Sequence, residues 1–70
     1  MESTYKIVEL VGSSPESWEK AAEVALKEAS KSLRDLRIAE VDELDIHIDE
    51  GGEIVAYRTK LKVSFKYQGD

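Results

Sequence analysis

Ser13-Ser14-Pro15-Glu16-Ser17-Trp18, with the alanine-striped run that follows it to Leu33, decides the fold. Pro15 suits a first helical position, because its fixed φ fits the turn and its missing N–H has no partner to lose there. This places Ser14 at the N-cap, its hydroxyl accepting from an orphan backbone N–H. Glu16 and Glu19 fall in the first turn, where the helix dipole favours negative charge. Trp18, Ala21, Ala22, Ala25, Ala29 and Leu33 recur at spacings of three and four and line one face. Between Trp18 and Leu33 that stripe is all small, so a sheet is expected to wrap closely over it. The helix is predicted from Pro15 to Leu33 or Arg34. Its outer face carries Glu16–Lys20 and Glu23–Lys27 at the favourable i,i+4 spacing, and Lys27, Lys31 and Arg34 load its C-terminal end.

On either side the pattern changes to strands. Met1 to Ser3 is expected to fray. Thr4 to Val11 is β-rich and ends at a turn-and-cap cluster. Tyr5, Ile7 and Val11 are apolar on one parity, Val8 and Leu10 on the other. A strand apolar on both faces is buried on both. One helix covers one face only, so the strand already points to a partner chain. Beyond the helix, Arg37 to Asp49 reads as a second strand and Ile54 to Tyr67 as a third. Between them Glu50-Gly51-Gly52-Glu53 forms a tight hairpin turn that uses the glycines' positive φ. In the third strand Val55, Tyr57, Thr59, Leu61, Val63 and Phe65 face the helix, and Arg58, Lys60, Lys62 and Lys66 face away.

The second strand changes parity. Ala39 and Val41 are apolar at odd positions, Leu44, Ile46 and Ile48 at even ones. One extra residue between Asp42 and Glu43, a β-bulge, restores a single apolar face. Registered from the glycine turn, Ile48 meets Val55, Ile46 meets Tyr57, Leu44 meets Thr59, Val41 meets Leu61 and Ala39 meets Val63. The outer face then sets Asp45 opposite Arg58, Asp42 and Glu43 around Lys60, Glu40 opposite Lys62 and Ile38 opposite Ser64, a favourable cross-strand charge pattern. Ile38 on this charged face marks an intersubunit contact. The fold class is α+β, in the order β-α-β-β, with a three-stranded antiparallel sheet curled around one helix.

With 70 residues, no cysteine and a formal net charge of -5, the chain holds one domain, residues 1–70. So small a core usually needs disulfides, metal or oligomerisation, and cysteine is absent. The acidic balance argues against nucleic-acid backbone binding. No apolar run is long enough to span a bilayer and no signal-peptide core follows Met1, so a cytoplasmic location and no membrane partner are expected.

The order, together with Tyr5-Lys6-Ile7-Val8-Glu9-Leu10-Val11-Gly12-Ser13-Ser14-Pro15-Glu16-Ser17-Trp18, Leu33-Arg34-Asp35-Leu36-Arg37, Tyr57 and Leu61-Lys62-Val63-Ser64-Phe65, resembles the dodecins. The resemblance implies a hollow homododecamer of cubic (tetrahedral) symmetry with no enzymatic activity. In the best-known branch, flavins bind in pairs at subunit interfaces, each ring stacked on a tryptophan and held by a glutamine. At the matching positions this chain has Ile38 and Arg58. Ile38 offers no π face, and by analogy with base stacking that loss costs about 1–3 kcal/mol per ring, roughly tenfold or more in affinity. Arg58 could still stack through its guanidinium plane or hold a flavin phosphate. Another branch lacks the tryptophan and is associated with calcium, and Arg37-Ile38-Ala39-Glu40-Val41-Asp42-Glu43-Leu44-Asp45 looks more like that branch, since flavin-type sequences tend to be basic where Asp45 stands.

Calcium takes several hard oxygen ligands at once. Asp42, Glu43 and Asp45 around a bulge supply carboxylates and an exposed carbonyl, and Glu40 could join across a symmetry axis. The plainer reading pairs these acids with Arg58, Lys60 and Lys62. Glu16, Asp49 and Glu50 are further carboxylates whose ordinary duties are helix capping and a solvated hairpin tip. His47 is the only histidine and sits on the outer face, whereas zinc needs several nitrogen or sulfur ligands. Trp18 and Tyr57 read as core. Lys60, Lys62 and Lys66 could attract an anionic cofactor or simply form a charged wall. No nucleophile stands beside an oriented base, and no GxGxxG spacing is present. The expectations are therefore a non-catalytic small-ligand storage protein with calcium as the leading ligand, a flavin store with an altered pocket as the alternative, and a purely structural assembly as the third.

Overall fold

The computed structural model describes residues 2–67. Met1, where part of the expected fraying falls, lies outside them. Strand β1 (Tyr5–Ser14) leads into helix α1 (Trp18–Ala29), then β2 (Leu36–Ile48) and β3 (Ile54–Lys66). The sheet order is β1-β3-β2, antiparallel throughout, so the β-α-β-β expectation holds. No helix among the described residues is long and apolar enough to cross a membrane.

The helix starts later than its sequence suggests. β1 stays paired with β3 as far as Ser14 opposite Tyr57. Pairing holds Ser14 extended and buried, and its hydroxyl accepts from Glu16 N–H at 3.1 Å instead of capping. Ser17 is the N-cap, with extended backbone and an oxygen accepting from Lys20 N–H at 2.9 Å. Pro15 and Glu16 therefore precede the helix, and only Glu19 places negative charge in its first turn. At the other end Ser30 caps α1, its hydroxyl donating to the Lys27 carbonyl at 2.8 Å. Two tight turns then carry the chain to Leu33, so Lys31, Leu33 and Arg34 lie beyond the helix. Along the helix and the turn after it, the ion pairs among the described residues are Lys20–Glu23 and Lys31–Glu28 at i,i+3, not the expected Glu16–Lys20 and Glu23–Lys27. Asp35 turns the chain into β2 with a φ of 58°, a conformation aspartate tolerates better than most residues. Its carbonyl accepts from Lys66 N–H.

The alanine face packs as expected. Ala21, Ala25 and Ala29 are buried, and Ala25, Leu61 and Val63 form the core with Val8, Leu10, Ala22, Leu26 and Leu36 packed against it. Gly12 lets β1 pass under the helix. A Cβ there would lie 1.9 Å from the Ala21 carbonyl oxygen and 2.9 Å from the Ala25 methyl. Buried Thr59 ties the sheet to the start of the helix by donating its hydroxyl to the Trp18 carbonyl at 2.8 Å.

The bulge is where parity places it, between Val41 and Glu43, with Asp42 as the extra residue. The register holds from Ile38–Ser64 to Ile46–Tyr57 and fails near the turn. Val55 is bulged out, so Ile48 meets Ile54 and not Val55. Because Ile54 and Val55 are both apolar, alternation gives no sign of which is skipped. A further irregularity separates Leu36 from Ile38. In the turn only Gly52 has positive φ, at 83°, and the Asp49 carboxylate accepts from Gly51 N–H and Glu53 N–H. A five-residue connection, Asp49 to Glu53, with one left-handed glycine replaces the expected paired-glycine turn.

A helix of 12 residues is about 18 Å long, whereas strands of 13 residues reach about 43 Å. The helix covers β1 and part of β3 but meets β2 at few points, so all of β2 except Leu36 stays exposed. Val55 is exposed and Tyr57 only half-buried, so the third strand's inward set meets the helix along part of its length. The chain measures 52 × 20 × 16 Å. Its radius of gyration is 14.4 Å, where a compact chain of this length gives about 11 Å. Its accessible surface is 5468 Å², against about 4,400 Å² for a compact monomer of its mass.

Gly12→Ala should lower stability by about 3 kcal/mol or more, since backbone oxygen cannot give way as a side chain can. Thermal denaturation followed by circular dichroism checks this, and an unchanged melting temperature would contradict the close packing.

Candidate ligand-binding face

The outer face of the sheet is built in rows by strand register. β3 contributes Arg58, Lys60, Lys62 and Ser64 along its middle. β2 sets Asp45, Glu43, Glu40 and Ile38 against them, and β1 sets Ser13, Val11, Glu9 and Ile7 on the other side. Asp45 and Arg58 form a two-pronged pair, with Arg58 Nε donating to Oδ1 at 2.6 Å and a terminal nitrogen to Oδ2 at 2.8 Å. Lys60 Nζ donates to Glu43 Oε1 at 2.9 Å. Glu40, Asp42 and Lys62 make no ion pair with the described residues, although Glu40 lies opposite Lys62 in register.

The hydrogen bond from Arg58, helped by its charge, holds the Asp45 carboxyl below its ordinary value of 3.8. The same contact raises Arg58, and Glu43 raises Lys60, with Asp42 and Glu9 adding to it. Both partners of each pair are about half-exposed, so each contact is worth little by itself.

Behind this face the bulge is tied to the helix. The Trp18 indole N–H donates to the Asp45 carbonyl at 3.1 Å, and its ring meets Tyr57 edge-on with centroids 5.2 Å apart. Trp18 is half-buried, a bracket between the helix start and β2 more than a core residue. Beside it, Ala22, Val41, Leu44 and Thr59 line an open apolar cavity of about 310 Å³. The indole bond joins residues far apart in sequence, and sequence reasoning missed it.

The expected ligand residues thus fall into two groups. Asp42, Glu43 and Asp45 follow one another along and just past the bulge with Glu40 one row away, and Glu43 and Asp45 are held by cations of their own chain. Among the described residues no group of three or more His, Cys, Asp or Glu is placed to hold a metal within one chain. His47 lies opposite Ala56, exposed on its own. Ile38 is 68% exposed opposite Ser64, with Ile7, 65% exposed, on the far side of the same serine. Ile38 also lines a shallow cavity of about 270 Å³ with Leu26, Leu36, Arg37, Ala39 and Val63. Arg58 is turned to Asp45 and does not reach toward Ile38.

A carboxyl whose pKa is lowered on folding stabilises the fold above its unfolded value, and that contribution is lost as pH falls through the folded one. The Asp45–Arg58 contact is therefore complete at neutral pH and lost only below 3.8. Arg58→Gln should return the Asp45 carboxyl upward to its ordinary range, read as its carbon-13 shift against pH. An unchanged midpoint would show that the pair does not persist in solution.

Comparison with known proteins agrees with this architecture. The family model described as Dodecin matches residues 4–68. The chain is 48% identical over 64 residues to the calcium dodecin of Mycobacterium tuberculosis, covering 91% of this chain and 89% of that protein. It is 43% identical over 68 residues to the dodecin of Thermus thermophilus, covering 97% of each. The crystal structure of the M. tuberculosis calcium dodecin, described as calcium-chelating with a novel calcium-binding site, superposes with a TM-score of 0.84 at 46% identity, over 97% of this chain and 96% of that one. The dodecin of Streptomyces davaonensis superposes with a TM-score of 0.90 at 29% identity, over 99% of this chain and 100% of that one. With its strand order, its acidic bulge and its match along nearly its whole length, the chain belongs to the dodecin family.

Proposed function

We propose that this protein is a non-catalytic ligand-storage dodecin whose 70 residues act as one unit within a homododecamer, and that it binds calcium through carboxylates of β2. The observation that carries the reading is the acidic bulge. Asp42 is the extra residue that the strand pairing skips, and neither it nor Glu40 forms a direct ion pair among the described residues, although the Asp42 charge is felt at Lys60. Identity of 48% to a protein named calcium dodecin supports it.

The donor set suits the ion in kind. Calcium takes six to eight oxygens and tolerates irregular geometry, and the bulge offers carboxylates together with main-chain carbonyls. One chain does not complete such a shell, so Asp42, Glu43, Asp45 and Glu40 serve as the contribution of each copy to a site shared between copies. When bound, the ion supplies positive charge that offsets the crowding of acids on a chain of net charge -5.

A flavin reading has weaker support. Ile38 and Ile7 form an aliphatic wall beside Ser64 that could lie against a flat ring. That wall has no aromatic face, and Arg58, the other position of the flavin site, is occupied by Asp45. Among the described residues no nucleophile is oriented by a base.

Metal-stripped protein titrated with calcium chloride in a calorimeter should give a saturable heat, and Asp42→Asn should weaken binding by about tenfold or more, the scale of losing one charged ligand. A flat trace for the unmodified protein would end the calcium reading. Quenching of riboflavin fluorescence by the same protein would favour flavin in its place.

A further inference from the structure

Two of the four carboxylates assigned to the ion are already in use. Both Asp45 oxygens accept from the Arg58 guanidinium, at 2.6 and 2.8 Å, and one Glu43 oxygen accepts from Lys60 at 2.9 Å. A calcium ion reaching for Asp45 meets a guanidinium already bonded to both oxygens, and one reaching for Glu43 meets an ammonium on the same carboxylate. Both cations rise from β3, whose central position between β1 and β2 fixes their backbone. Both pairs are half-exposed, so each is weak enough to open. The next cation along β3, Lys62, makes no ion pair among the described residues.

Resting on the calcium reading above, we propose that Arg58 and Lys60 are built-in competitors of the metal, and that calcium enters by exchange of counter-ions. Asp45 and Glu43 release the two β3 side chains as the ion takes their oxygens, and the guanidinium and ammonium swing back to solvent. Asp45 and Glu43 are then neutralised in either state, by their own chain when empty and by calcium when loaded. Linkage makes the exchange reciprocal, because whatever strengthens the internal pairs weakens metal uptake by the same factor. Trp18 reports the event: it is the sole tryptophan, and its indole N–H sits on the Asp45 carbonyl.

The test titrates calcium chloride into the metal-stripped full-length chain and into its Arg58→Lys, Lys60→Gln and Lys62→Gln variants, reading heat and Trp18 emission together. Arg58→Lys is decisive, since it keeps the charge and removes only the two-pronged grip. Exchange predicts that it binds calcium about two- to fivefold more tightly than the unmodified chain, the span expected for loss of an exposed pair. Lys60→Gln should also tighten binding, and by more than Lys62→Gln, which removes a charge from the same face without freeing a carboxylate. Trp18 emission should change along the binding curve. If the unmodified chain binds calcium and Arg58→Lys binds no more tightly, the exchange is overturned while the calcium reading stands. If calcium binds only to the variants, the exchange stands and the calcium reading of the unmodified chain fails. If nothing binds calcium, both fall.

Discussion

A single short helix is asked to shelter strands more than twice its length, and the rest of the structure follows from that mismatch. The helix settles where the backbone lets it come closest, over Gly12, with Ala21 and Ala25 against the strand beneath. This contact is close because the facing residues are small, and small residues cover little. Beyond the alanine stripe the β2–β3 hairpin extends with its apolar inner face uncovered, Val41 and Leu44 each about half-exposed and Ile48 57% exposed. Burying an aliphatic side chain is worth about 1.5–3 kcal/mol, so a row of such residues left in water is a large unclaimed driving force. On the proposed dodecamer reading, other copies of the chain supply the cover, and the elongated shape leaves room for them.

The outer face shows the opposite logic. Its charges alternate across strands, acids on β2 and bases on β3, and the bulge at Asp42 breaks the alternation at one point. A bulge frees one residue from pairing and re-aims its side chain, and here that residue is a carboxylate. The same irregularity thus keeps the inner face apolar and leaves on the outer one an acid with no direct ion pair among the described residues. Trp18 links the two faces, with its ring on Tyr57 and its N–H on the carbonyl of Asp45.

Much of this could be read from residues alone. The parity change between Val41 and Leu44 located the bulge, because a sheet apolar on one face tolerates no other repair. From there the charge rows followed, including Asp45 against Arg58 and Glu43 against Lys60. What escaped was decided by tertiary pairing or by equivalent residues. Three serines compete to cap one helix, and the winner is set by how far β1 pairs with β3, which no local pattern records. Ile54 and Val55 are alike in polarity, so the skipped residue beside the turn was invisible. The left-handed Asp35 carried no glycine to announce it, although the segment Leu33 to Arg37 was conspicuous as a family signature. At the candidate site the four acids and their cations were legible, but which oxygens are engaged and which are open depends on side-chain conformation.

The central claim is that this chain cannot hold its fold alone. Light scattering on purified protein at micromolar concentration tests it most directly. The account predicts one assembled species at twelve times the 7.9 kDa chain mass, with folded protein found only in assembled form. A monodisperse, folded particle of a single chain's mass would contradict it.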